Sequence, residues 1–213
     1  RVVLVSESRP EWPVADVAIM SAGCITVPAY TTNTVDDHRH ILANSEAAAV
    51  IVSTPALFRR VWPAALQVPS VRLVIWIDPD DHSHDEDLEL RCWADLLTGE
   101  PEPAGALAAR VDALRREDVA CLIYTSGTSG RPRGVKLTHG GILHNCEGAY
   151  DVLGGLGVDD EVFLSFLPLS HAYEHTGGVF FPMTLGAQVY YSQGVDHLAR
   201  ELTQVRPTIM TAV

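Results

Sequence analysis

Val119-Ala120-Cys121-Leu122-Ile123-Tyr124-Thr125-Ser126-Gly127-Thr128-Ser129-Gly130-Arg131-Pro132-Arg133-Gly134-Val135-Lys136 begins as an apolar run and ends as a basic loop of glycines and hydroxyls. The run predicts a buried strand over Val119–Tyr124. After the loop, Ile142, Cys146, Ala149, Tyr150 and Leu153 recur at helical spacing. The segment therefore reads as strand, loop and helix. Gly127, Gly130 and Gly134 let backbone N–H groups approach a ligand closely. Thr125, Ser126, Thr128 and Ser129 add hydroxyl donors, and Arg131, Arg133 and Lys136 add positive charge. Such an inventory suits a phosphate. No Asp or Glu occurs from Val119 to Cys146, where the chain average predicts about 3.5. A flexible Ser/Gly/Thr linker has the same composition. Its position between a buried strand and an amphipathic helix argues for the phosphate reading.

Upstream, strand-like runs at Arg1–Val5, Cys24–Val27, Ala49–Ser53 and Leu73–Ile77 alternate with helical stretches. Ser8–Glu11 has the form of a capping box opening a helix that carries Trp12, Ala15, Ile19 and Ala22. Thr34–Asp37 caps a helix to about Asn44, and Pro55–Leu66 is helical despite Pro63. Leu107–Arg116 reads as another helix, and Thr98–Gly105 as a linker. Downstream, strands are expected at Val162–Phe166, Ala187–Tyr191 and Thr208–Val213, with a helix through Leu198, Leu202 and Val205. This alternation predicts an α/β fold with a mainly parallel sheet and helices on both faces.

The chain has 213 residues, 15 Lys+Arg, 27 Asp+Glu and a formal net charge of −12. Hydrophobic residues make up 47%, enough for a proper core. The acidic balance argues against nucleic acid as a partner. No apolar run reaches membrane-spanning length, and no signal peptide is evident at Arg1. Cys24, Cys92, Cys121 and Cys146 match no zinc or redox spacing and favour a reducing compartment. Asp78–Glu89 holds seven acids around His82 and His84 and reads as a solvated loop.

The glycine loop fits neither common phosphate motif. A Walker A frame from Gly127 lands on Pro132, and one from Gly130 lands on Val135. Thr125–Val135 instead closely resembles the signature loop of the acyl-adenylate-forming superfamily, which includes acyl-CoA synthetases, peptide-synthetase adenylation domains and luciferases. Arg133 stands where that family usually has Lys. Phe166-Leu167-Pro168-Leu169-Ser170-His171-Ala172-Tyr173-Glu174-His175 resembles the family's acyl-pocket segment, in a form most like the long-chain fatty-acid–CoA ligases. Pro28–Asn33 and Pro207–Val213 resemble the same group.

The resemblance implies that residues 1–213 are an incomplete N-terminal AMP-binding (adenylation) domain whose C-terminal remainder is absent. It implies that the full-length parent activates a long-chain fatty acid with ATP to acyl-AMP and then to acyl-CoA, with Mg²⁺ and coenzyme A. The fragment alone is expected to be inactive. Thr125, Ser126, Gly127, Thr128, Ser129, Gly130 and Arg133 would bind the ATP phosphates, with Thr125 also placing Mg²⁺. His171 would be catalytic beside the carboxylate, and His171, Tyr173 and His175 would line the acyl pocket. A cytoplasmic location follows, with peripheral membrane contact and homo-oligomer formation left open.

A rival comes from His171-Ala172-Tyr173-Glu174-His175, which matches the His-x-x-Glu-His zinc motif of inverted metallopeptidases. On a regular helix, His171 and His175 would ligate zinc and Glu174 would act as base. Chance alone gives about 0.02 such matches in this composition. The motif leaves the acid-free loop unexplained, and Gly177-Gly178 shortens its helix. A noncatalytic nucleotide-binding module is the third reading.

Overall fold

Short apolar runs, buried almost continuously in the central strands, build the first sheet. β1 (Val2–Val5), β2 (Thr26–Ala29), β3 (Ala49–Val52), β4 (Leu73–Trp76) and β5 (Glu89–Cys92) run parallel. β6 (Val119–Thr125) joins β2 in parallel, and β7 (Arg133–Thr138) closes the sheet antiparallel to β6. The order is β5-β4-β3-β1-β2-β6-β7. The computed structural model describes residues 1–80, 88–100, 102–103, 105–125, 131–154 and 160–212.

The pleat separates two cores. Val3, Val5, Val50 and Val52 face α2 (Val35–Ser45) and α3 (Pro55–Ala65), which bring Ile41, Leu42, Leu57, Phe58 and Val61. Leu4 and Ile51 point to the other face, where α1 (Glu11–Ser21) contributes Trp12, Ala15 and Ile19. α4 (Trp93–Leu97) and α5 (Ala106–Asp112) lead to β6, and α6 (His139–Leu153) packs Ile142 and Cys146 against Cys121 and Ile123. Helices thus cover both faces, as a buried parallel sheet requires.

A separate two-stranded parallel sheet follows, β8 (Val162–Ser165) with β9 (Gln188–Tyr191). Between them run α7 (Ala172–Glu174), a π-helical turn (His175–Phe180) and α8 (Phe181–Leu185), which stops at Gly186 with φ 66°. α9 (Leu198–Val205) ends the regular structure. Leu169 and Val179 join the core around Trp12, while Phe163 and Phe181 join that around Ile123. The segment after β8 is therefore clamped between the two sheets.

Several expectations change. The basic loop joins two antiparallel strands, not a strand and a helix, because Arg133–Thr138 pairs back along Val119–Thr125. α1 starts from Pro10 without a side-chain cap. Ser8 Oγ donates instead to the Leu167 carbonyl at 3.3 Å, and Arg9 binds Glu11 and Asp78. The Thr34–Asp37 capping box is present. Pro63 sits in the last turn of α3, where Gln67 Nε2 donates to its carbonyl at 2.8 Å. β5 and α4 were hidden by the acidic run: Glu89 and Arg91 point outward, and only Leu90 and Cys92 turn partly inward. α5 ends at Asp112, short of Arg116. Of Thr208–Val213, Ile209 alone bridges to Phe163 among the described residues. All four cysteines are free, with Cys121 and Cys146 buried. His82 and His84 lie outside the described residues.

Candidate functional site

β2 and β6 are neighbours, and both end at the same edge of the sheet. Their carboxyl ends deliver Ala29 and Thr125 to a cleft of about 390 Å³. Open parallel sheets characteristically bind ligands at that edge. Tyr30 and Asn33 enter from the segment after β2, Tyr124 and Thr125 from β6, Pro132 from the far side of the loop, and His171 from the segment after β8. Three stretches distinguished separately in the sequence thus share one cavity.

The loop's stem is built by an unusual pair. Thr125 faces Arg133 and Tyr124 faces Gly134 across the hairpin. The Tyr124 ring packs against Gly134, where an added Cβ would sit 3.2 Å from the ring. Burial pushes the Tyr124 phenol up from its ordinary value. Its Oη donates to Asn44 Oδ1 at 2.7 Å. His40 Nε2 bonds the Pro132 carbonyl at 2.9 Å. His40, Asn44 and Tyr124 were not distinguished in the sequence. The available signal was a polar pair one turn apart on a helix whose buried face carries Ile41 and Leu42.

Arg133 and Lys136 of the loop region stand on opposite faces of β7. Side chains alternate along a strand, so Arg133 shares the face of Thr125, and Lys136 shares the opposite face of Leu122. Arg131, Arg133 and Lys136 are all exposed. Ser126, Gly127, Thr128, Ser129 and Gly130 lie outside the described residues.

His171 caps α7. Its Nδ1 accepts from the Tyr173 N–H at 3.3 Å, so in the neutral ring the proton sits on Nε2, free to donate to a ligand oxygen. His171 is exposed on the cleft wall. Tyr173 is 47% exposed and stands outside that wall. His175 points the other way. It is fully buried, with Nε2 3.0 Å from Asp16 Oδ2 and Nδ1 4.0 Å from Cys121 Sγ. Trp12 and Phe180 meet its ring edge-on. His175 does not open onto this cleft, because Asp16 draws it into the core.

The same geometry removes the peptidase arrangement. One imidazole faces solvent, and the other has its nitrogens engaged inside. Glu174 is also buried, bonded by the Ser165 and Thr211 hydroxyls, and burial pushes its carboxyl up. Among the described residues no group of three His, Cys, Asp or Glu is placed to hold a metal. The cleft offers Mg²⁺ the Thr125 hydroxyl and, among its described lining, no carboxylate. Such a donor set fits a magnesium that arrives already bound to phosphates.

The sequence profile of the family described as AMP-binding enzyme matches residues 1–213. The long-chain-fatty-acid–CoA ligase FadD15 of Mycobacterium tuberculosis is 33% identical over 218 residues, covering 100% of this chain and 34% of that protein. The chloroplastic long-chain-fatty-acid–[acyl-carrier-protein] ligase AEE15 of Arabidopsis thaliana is 27% identical, covering 100% and 30%. A benzoate CoA ligase from Burkholderia xenovorans shares the fold, with a TM-score of 0.76 at 24% identity over 98% of this chain and 39% of that one. The chain spans about a third of the length of these curated relatives.

Proposed function

The chain belongs to the AMP-binding enzyme family, and we propose that it forms the phosphate-binding part of an enzyme that activates long-chain fatty acids. The observation that carries this reading is the meeting of Thr125, Pro132, Tyr30 and His171 in one cleft at the strand ends. A substrate carboxylate oxygen attacks the α-phosphorus of ATP. The new P–O bond gives acyl-AMP, and the bond to the β-phosphate breaks, releasing pyrophosphate. A thiol then attacks the acyl carbonyl, and AMP leaves as the thiol proton is lost.

Two anions must meet, so positioning and charge neutralisation carry most of the work. Thr125 through Gly130 and Arg133 hold the phosphates, with Arg133 offering a planar fork rather than the point charge a Lys would supply. Where magnesium is bound with the nucleotide, the Thr125 hydroxyl would help hold it, and it would supply further charge neutralisation. His171 donates from Nε2 to the carboxylate or its adenylate. His175, held by Asp16, supports the segment that presents His171. The relatives include ligases named for CoA and for acyl carrier protein, and CoA is the acceptor in this reading. A cytoplasmic location belongs to it too. Among the described residues no helix is long and apolar enough to cross a membrane.

The test is fatty-acid-dependent ATP–pyrophosphate exchange by the full-length protein. Exchange that needs a long-chain acid and collapses in His171→Ala is expected. ATP binding without any exchange would instead favour a noncatalytic nucleotide module.

A further inference from the structure

α2 meets both ends of the basic loop. Residues one turn apart on a helix share a face, and His40 and Asn44 are so spaced. Asn44 accepts the Tyr124 hydroxyl at 2.7 Å, immediately before Thr125. His40 bonds the Pro132 carbonyl at 2.9 Å, immediately before Arg133. The two contacts are linked, since the His40 ring stands edge-on to Tyr124, with centroids 6.3 Å apart and planes at 86°. Ile41, between them on the helix, lines the same cleft.

The helix is a firm support. Its first turn is closed by the reciprocal Thr34–Asp37 box, and Ile41 and Leu42 are buried against the sheet. Across the hairpin, Gly134 leaves the space that the Tyr124 ring occupies. A proline carbonyl is an apt handle, because the residue lacks an N–H and has a fixed φ. The bond to it defines where the chain turns into Arg133. His40 itself is only half-buried, so this contact adds little to the core.

We propose that His40 and Asn44 are positioning residues for the nucleotide. They anchor the hairpin stem to α2 at Tyr124 and Pro132, and so place Thr125 and Arg133 relative to the rest of the cleft. Neither residue is among those that line the cleft. The proposal rests on the adenylation reading above and deepens it, by assigning phosphate alignment to a helix that contributes no phosphate ligand.

The experiment is pyrophosphate exchange by the full-length protein, with ATP and fatty acid varied separately. His40→Ala should raise the KM for ATP by about fivefold, the worth of one hydrogen bond, with the fatty-acid KM unchanged. His40→Gln, whose amide can still donate, should recover most of the loss. Tyr124→Phe keeps the ring, removes the bond to Asn44 and should likewise raise the ATP KM. Melting temperatures should stay close to wild type for His40→Ala and His40→Gln. Wild-type exchange with an unchanged ATP KM in His40→Ala and Tyr124→Phe would overturn the clamp and leave adenylation standing. Equal rises in both KM values, tracking a fall in melting temperature, would also overturn it. A wild-type protein without exchange would defeat the adenylation reading itself.

Discussion

Asp16 Oδ2 and His175 Nε2 meet at 3.0 Å across 159 positions of sequence, with both side chains wholly buried. The pair ties α1 on the first sheet to the π-helical turn between the two strands of the second. Asp16 Oδ1 has no hydrogen-bond partner among the described residues, so His175 is the main compensation for this buried carboxylate. Removing one partner of such a pair strands the other. Asp16→Ala should cost about 3–5 kcal/mol in urea unfolding, while Asp16→Asn, which can still accept from Nε2, should cost clearly less. A loss below about 1 kcal/mol for Asp16→Ala would mean that solvent reaches the site.

His38 is a second buried imidazole, with the opposite consequence. Burial, then the nearby Arg60 charge, push its pKa down to about 4. Its Nε2 has no hydrogen-bond partner among the described residues. In the unfolded chain the ring titrates near 6.5. The depressed value means that the unfolded state takes the proton first as pH falls. Stability is fully present above pH 6.5 and is lost progressively as pH falls toward 4. His38→Leu should flatten that part of the stability profile in denaturant titrations between pH 7 and 4. A wild-type profile equally flat over this range would show His38 protonated in the native state.

The sequence showed the parallel half of the fold because each of those strands is a short β-branched run fully covered by helices. The edges were harder to see. β5 carries Glu89 and Arg91 outward and lies beside an acidic run, so its two inward residues gave no period. β7 is exposed at Arg133 through Lys136 and reads as the loop's own charge. The site divided similarly. His171 and the cleft's Pro28–Asn33 wall followed from short motifs. The inward turn of His175 did not, because Asp16 lies far away in sequence, and the support from α2 depended on tertiary contacts.

Two glycines in α6 offer a matched pair. A Cβ on Gly140 would sit 2.8 Å from the Arg116 carbonyl oxygen, a backbone atom that cannot swing away. At Gly148 an added Cβ meets nothing within 4 Å. Gly140→Ala should therefore destabilise by about 1–3 kcal/mol, through overpacking against backbone. Gly148→Ala should stabilise by about 0.5–1 kcal/mol, through helix propensity alone. Thermal melts of the two variants should move in opposite directions. Similar shifts would mean that the segment around Arg116 yields to α6.

Arg133 and Lys136 differ in face rather than in charge. Arg133 lies opposite Thr125, which lines the cleft, whereas Lys136 lies opposite Leu122 on the side of α2 and α3. If the phosphates bind beside Thr125, the alternation of the strand admits Arg133 and excludes Lys136. In full-length protein, Arg133→Ala should slow pyrophosphate exchange by about ten- to a hundredfold, as loss of a charge-assisted phosphate contact does. Lys136→Ala should leave the rate within about twofold, since an exposed charge on the far face is largely screened. Arg133→Lys keeps the charge and should retain most of the rate, with any deficit reporting the planar fork. Equal losses in Arg133→Ala and Lys136→Ala would mean that the region acts as a diffuse positive field, and the register-based assignment of Arg133 would have to be withdrawn.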